Sequence, residues 1–108
     1  MPKFHWWAAY LHWRALRRIP AHTRVLHALA SGERHAYEIW QRYRVASGDL
    51  YVILFRLERE GLAHSRWYTG PEGHPDRKGY RLSHRGLRLH SELIGSADWQ
   101  RLDTLVGR

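Results

Sequence analysis

The chain has 108 residues, a formal charge of +8 at neutral pH, nine histidines and no cysteine. That length makes one domain with a modest core. The missing cysteines exclude a disulfide framework, a cysteine-type zinc site and a cysteine nucleophile, and they suit a reducing compartment. The positive charge invites a polyanion, and it is unevenly placed. Residues 1–24 carry Lys3, Arg14, Arg17, Arg18 and Arg24 with no acid, whereas 25–62 set five arginines against five acids and 63–108 are again net basic. No run is long enough to span a membrane. FHWWAAYLHW is too short and too interrupted by histidine for a secretory segment, so the expectation is an intracellular protein.

In chain order, residues 4–18 read as a helix that is apolar over much of its circumference. Trp6, Tyr10, Trp13 and Arg17 form one stripe, and Phe4, Trp7, Leu11 and Arg14 another. A monomer of this size cannot cover so many aromatics. The expectation is a dimer contact through Trp6, Trp7, Tyr10, Leu11 and Trp13. Packing within its own domain and insertion into a membrane surface are the alternatives. Ile19-Pro20 ends this helix. A second helix takes 21–31, with Val25, Leu26 and Leu29 inward and Ser31-Gly32 as its stop. A third runs from about Arg34 to Tyr43, with Tyr37, Ile39 and Trp40 inward, and 44–47 form a turn.

Residues 47–62, SGDLYVILFRLEREGL, are the most telling stretch. Leu50, Ile53, Leu54 and Leu57 fall at i, i+3, i+4 and i+7, which makes one face of a helix over about 48–60 apolar. Val52, Phe55, Arg56 and Arg59 occupy the opposite face. Asp49 is the expected N-cap, and Gly61 the C′ stop. Two strands follow, at about 63–68 and 78–83, around a loop punctuated by Gly70, Pro71, Gly73 and Pro75. Ser83 is expected to cap a helix from His84. Beyond Gly95-Ser96, which either breaks that helix or does not, Trp99, Leu102 and Val106 form a stripe suited to a partner helix; with Leu93 they complete the expected dimer interface.

A short helix with a basic outer face, followed by a basic hairpin, is the layout of a winged helix-turn-helix. The expected fold is α+β, mainly α, in three parts. Residues 1–20 give an added aromatic helix, 21–83 the winged domain with its wing at about 63–83, and 84–108 a C-terminal helical dimerisation segment.

Leu50-Tyr51, then Arg56-Leu57-Glu58-Arg59-Glu60-Gly61-Leu62, then Tyr80-Arg81-Leu82-Ser83 and Gly86 resemble the signature of PadR-type transcriptional regulators. His35-Ala36-Tyr37-Glu38-Ile39 is similar to the HGYEI segment of that family. The resemblance covers about residues 23–94 with the spacings preserved. The chain departs from the pattern at Ala36, Asp49, Gly79 and Gly95-Ser96. The resemblance implies a homodimeric regulator, usually a repressor, whose recognition helices enter successive major grooves of a pseudo-palindromic operator. Some members release DNA when a small aromatic ligand enters between subunits. The N-terminal tryptophans and Trp99 are what such a pocket would use, and equally what a dry dimer core would use.

Phosphate contacts position a protein on DNA, whereas base edges in the major groove specify sequence. On the expected recognition helix, Arg56 either contacts guanine or pairs with Glu60. Arg59 has the same choice, with phosphate favoured over a base. Val52 shares their face. Tyr51 either gives its hydroxyl to a phosphate or packs half-buried, and Phe55 either meets a thymine methyl or covers the turn between helices. Ser47 and the amide of Gly48 stand where a helix N-terminus can hold phosphate. Arg77 and Lys78 flank the wing tip, and His74 sits on it, where it adds charge below its ordinary pKa. No histidine pair has metal-binding helical spacing. No nucleophile elbow, phosphate-binding loop or carboxylate pair stands out either, so neither an enzyme nor a cofactor is expected. The partners expected are double-stranded DNA and a second copy of the chain, in a cytoplasmic, nucleoid-associated setting. A winged-helix protein adaptor and a non-specific architectural DNA binder are the competing functions.

Overall fold

Proline disfavours helical geometry in the residue before it, and the aromatic helix stops short of Pro20. In the computed structural model, which describes residues 6–106, α1 is Trp6–Arg17 and α2 is Ala21–Ala30 with Pro20 at its N-cap. Helix α2 is the centre of the core. Val25, Leu26, Ala28 and Leu29 are buried on it, and every later helix packs against it.

Strand β1 (Arg34–His35), α3 (Ala36–Tyr43) and α4 (Ser47–Arg59) follow. Then come the long strands β2 (Ala63–Tyr68) and β3 (Arg77–Leu82). The antiparallel sheet has the order β1-β3-β2, with Ser65 opposite Tyr80, Arg66 opposite Gly79 and Trp67 opposite Lys78. The third helix therefore begins two residues later than expected, because Arg34 and His35 pair with β3. The carboxylate of Glu38 accepts the His35 amide (3.1 Å) and closes the helix start.

Tyr37 and Trp40, expected to face inward, point outward, 64% and 45% exposed. Helix α3 has only two turns, and its buried stripe is Ile39 and Tyr43; Tyr37 and Trp40 lie on the other side. At the following turn Arg44 adopts the left-handed conformation (φ 58°). The turn is pinned from beneath by buried Arg24, whose guanidinium donates to the carbonyls of Ile19, Tyr43 and Arg44 at 2.8–3.1 Å. Arg24 belongs to the N-terminal basic excess in sequence, yet it is not available to a polyanion.

Helix α4 starts at Ser47, so its N-cap is Ala46 and Asp49 lies inside the first turn. The expected capping role of Asp49 is corrected, and its carboxylate instead opposes the positive end of the helix dipole. The C-terminus closes as expected on Gly61 (φ 74°). The Leu62 amide bonds to the Leu57 carbonyl at 2.8 Å and the Gly61 amide to that of Glu58 at 3.0 Å. These are the paired bonds of a Schellman motif.

Ser83 caps α5 (His84–Leu93), accepting the Gly86 amide at 3.1 Å. Residues 94–96 then interrupt the helix, and α6 (Ala97–Val106) folds back on α2 and α1. Trp99 and Leu102, expected on a partner-facing stripe, are completely buried in the chain's own core. Trp99 stacks beside His27 (4.7 Å between centroids), and His27 Nε2 lies 2.8 Å from Asp103 of α6. Leu102 closes a small cluster with Leu16 and Ile19 that holds α1 in place. Among the described residues no helix is long and apolar enough to cross a membrane.

Candidate nucleic-acid interface

Helix α4 divides its side chains sharply. Leu50, Leu54 and Leu57 are buried, and Ile53 is half-buried against α2 and α5. The outer face carries Tyr51 (58% exposed), Val52 (52%), Phe55 (65%), Arg56 and Arg59. Tyr51 and Phe55 are thus exposed rather than half-buried. Among the described residues, neither Arg56 nor Arg59 has a side-chain hydrogen bond or ion pair, so the expected Arg56–Glu60 alternative is absent. Ser47, Gly48 and Asp49 are exposed at the helix N-terminus.

The wing rises from the C-terminal end of this helix. Ser65 donates to Glu58 (2.8 Å), and the Lys78 ammonium lies 3.7 Å from the same carboxylate. Lys78 also sits over the rings of Trp67 (5.8 Å) and Tyr80 (5.4 Å). Its charge is therefore partly engaged within the fold, whereas Arg77 is exposed. His74 is exposed at the wing tip, where its amide bonds to the Pro71 carbonyl at 2.8 Å. Asp76 accepts the Gly70 amide (2.9 Å) across the loop. A Cβ at Gly70 would lie 2.2 Å from the Pro75 carbonyl oxygen, so the loop can close this tightly only on glycine.

Across the sheet, over the central strand β3, Glu33 beside β1 accepts from Tyr68 of β2 and pairs with Arg66 (3.3 Å). The Tyr68 hydroxyl, aided by Arg66, holds the Glu33 carboxyl below its usual range. A Cβ at Gly79 would approach the Glu33 and Tyr68 side chains to 2.9 Å.

Between α3, α4 and the wing runs an open groove of about 630 Å³, lined by Tyr37, Tyr51, Trp67, Arg77, Lys78 and Tyr80 among others. Sequence reasoning missed Tyr37 and Trp67 as members of this face. For Trp67 a signal existed: Ala63, Ser65 and Trp67 alternate onto one side of β2, and Ala63 and Ser65 fix that side toward α4.

The residues expected at a dimer contact separate into two groups. Trp7, Tyr10 and Leu11 are exposed along α1 (57%, 48% and 47%), and Trp13 is half-buried beside Tyr10 and Arg17. Leu93 and Val106 are half-buried, whereas Trp99 and Leu102 are core residues. The side chain of Trp6 lies outside the described residues, as do Phe4 and His5. Leu93 lines a second groove, about 660 Å³, whose apolar floor includes Leu26, Ile53, Leu57, Leu62 and Leu89. Among the described residues no group of three or more side chains is arranged to hold a metal ion.

The same architecture recurs in solved structures of other proteins. It is similar to a chain from Enterococcus faecalis V583 described as a MarR-family transcriptional regulator (TM-score 0.61, 20% identity, 93% of this chain and 88% of that one). It is also similar to two structures of a Lactococcus lactis ZitR double mutant. One has a TM-score of 0.61 at 17% identity and covers 78% of this chain and 55% of that one. The other, in the apo form, has a TM-score of 0.57 at 17% identity and covers 67% and 52%. The chain thus spans about half the length of the ZitR chains, and at these identities the likeness is one of fold. No protein of curated function matches the sequence. Residues 25–92, which contain α3, α4, the wing and most of α5, match the model of the transcriptional regulator PadR-like family. With well over half its length inside that model, and the winged helix in place, the chain belongs to the PadR-like family of transcriptional regulators.

Proposed function

We propose that the chain acts in the cytoplasm as a sequence-specific DNA-binding repressor, a homodimer that reads a pseudo-palindromic operator. The observation that carries this reading is the outer face of α4. It presents two unpaired arginines beside Val52 and Phe55, while the opposite face anchors the helix in the core. A helix held this way can enter a major groove without loosening the domain. Arg56 is the base-reading residue, Arg59 a phosphate contact, and Ser47 with the Gly48 amide receives phosphate at the helix N-terminus. Arg77, His74 and Lys78 serve the wing side.

The exposed Trp7, Tyr10 and Leu11 supply an apolar face for the second subunit; the groove beside Leu93 is a separate apolar surface between α2, α4 and α5. That groove also has the size and apolar floor for a small aromatic effector between subunits. A protein-binding reading of the α4 face rests on the 65% exposure of Phe55 and on an Asp49 carboxylate that no capping bond consumes.

Selection of bound duplexes from a random pool at ~150 mM salt, where non-specific binding weakens, distinguishes these. Enrichment of an inverted repeat is expected; no enrichment leaves the protein-binding reading, or non-specific architectural binding where duplexes are retained in bulk. On the selected site Arg56→Ala should cost about 1–3 kcal/mol and relax preference at one position. Arg59→Ala should lower the salt slope by about one with preference unchanged.

A further inference from the structure

Three large aromatic side chains stand in the groove between α3, α4 and the wing with most of their surface in water. Tyr37 is 64%, Tyr51 58% and Trp67 68% exposed. They come from three separate elements, so no single amphipathic pattern explains their meeting. Exposed apolar surface gathered in one concavity marks a contact surface rather than a core. Trp67 overhangs the groove from β2, directly opposite Lys78, on the strand face that Ser65 ties to Glu58.

The polar groups in the groove sort by sign. Its carboxylates already have partners inside the fold: Glu38 the His35 amide and Arg34, and Asp76 the Gly70 amide. The groups left over are donors. Among the described residues the Tyr37 and Tyr51 hydroxyls, the Trp67 indole N–H and the Arg77 guanidinium make no hydrogen bond to protein. A surface that offers aromatic faces, neutral donors and the Arg77 cation, with Glu38 paired to Arg34 and Asp76 turned to a backbone amide, is complementary to a strand of alternating sugar and phosphate. It is also continuous with the outer face of α4 through Tyr51.

We propose that this groove seats the sugar–phosphate backbone of one DNA strand at the edge of the major groove read by α4. Trp67 packs its indole against a deoxyribose there, and Tyr37 and Tyr51 donate to the neighbouring phosphates. The inference rests on the DNA-binding reading above and adds Trp67 and Tyr37 to the interface. Trp67 sets how far the wing stands from the duplex and contributes affinity without sequence preference.

The test uses the full chain on its selected duplex and on a scrambled duplex of equal length. Trp67→Ala should weaken both by the same factor, about ten-fold for the loss of one aromatic contact. The salt slope should not change, because no charge is removed. Trp67→Phe should recover most of the loss, and Tyr37→Phe should weaken both duplexes equally. Hydroxyl-radical footprinting should show wing-side deoxyriboses protected by wild type and exposed with Trp67→Ala. The side chain is mostly in solvent, so an unchanged melting temperature confirms that folding is not the cause. If Trp67→Ala binds both duplexes as wild type does while Arg56→Ala fails, the groove assignment is overturned and DNA reading stands. A change in base preference with Trp67→Ala also overturns it. Wild-type protein that retains no duplex overturns both readings together.

Discussion

Gly86 provides the sharpest test of the fold, because the junction it occupies joins the end of α4 to the start of α5. Ser83 donates its amide to the Leu62 carbonyl (2.9 Å) and its hydroxyl to that of Gly61. Gly86 closes the cap on the Ser83 side chain. A Cβ built on Gly86 would lie 2.1 Å from the Leu62 carbonyl oxygen and 3.1 Å from the Leu82 side chain. An ordinary carbon–oxygen contact is about 3.3 Å, so α5 must retreat by roughly 1 Å, and the obstacle is backbone rather than a flexible side-chain tip. Overpacking of this kind costs about 1–3 kcal/mol, and straining the Leu62–Ser83 bond adds about 1 kcal/mol. Replacing a helical glycine by alanine returns about 0.5–1 kcal/mol. The net loss is about 1–3.5 kcal/mol, which lowers the melting temperature by roughly 4–28 °C for a domain of this size. Gly95→Ala is the control, since nothing lies within 4 Å of its Cβ position and its φ is not in the left-handed region. It should stabilise by about 0.4–1 kcal/mol. Thermal melts of both variants at one protein concentration decide the matter. A Gly86→Ala melt within about 3 °C of wild type, or a Gly95→Ala melt lower than that of Gly86→Ala, would refute the packing argument.

Two further outcomes follow from side-chain ties that cross the chain. Arg24→Met keeps the bulk but strips three backbone carbonyls of their donor; it should cost about 2–4 kcal/mol, seen as a lower urea midpoint at unchanged slope. Glu33 is held below its ordinary pKa of 4.5 first by the Tyr68 hydroxyl and then by Arg66. A depressed carboxyl contributes stability above its unfolded pKa and loses it as pH falls through the lower folded value. The tie should therefore be intact at neutral pH, contribute less as pH falls below about 4.5, and be lost only through the lower folded value. Tyr68→Phe should move the Glu33 titration, followed by NMR, toward its ordinary position, and an unmoved titration would remove the hydroxyl as the cause.

Helix α4, its glycine stop, the wing strands and the Ser83 cap were all legible, because each is written within a few adjacent residues: a period, a terminator, a turn, a cap. What was not legible depends on partners far along the chain. Trp99, Leu102 and Val106 state that one face of α6 is covered, but a stripe does not name its partner. It faces α2 and α1 because the break after Leu93 lets the chain turn back. The contact between His27 and Asp103 joins α2 to α6 across most of the chain, and no local pattern announces it. Tyr37 and Trp40 were misplaced because two helical turns give too few points to define a face. For Asp49 the cap lies three residues earlier, at Ala46, which turns an expected cap into a first-turn residue.

Segment charge was the least reliable guide, and the structure shows why a neutral segment can still present a cationic face. Residues 25–62 balance on paper. Yet three of their five acids are taken up inside the fold: Glu33 by Tyr68 and Arg66, Glu38 by Arg34, and Glu58 by Ser65 and Lys78. Arg56 and Arg59 keep their charge unpaired on the outside of α4. Conversely, Arg24 adds to the N-terminal excess but spends its guanidinium on carbonyls within the core. A phosphate within a Debye length, about 8 Å at physiological salt, meets the local arrangement and not the total. On that scale Arg56 and Arg59 make the C-terminal half of the α4 face basic, against the free carboxylates of Glu60 at its end and Asp49 at its start. Asp49→Asn should therefore tighten DNA of every sequence alike and leave base preference as it was. A variant that changed preference would instead place Asp49 among the reading residues.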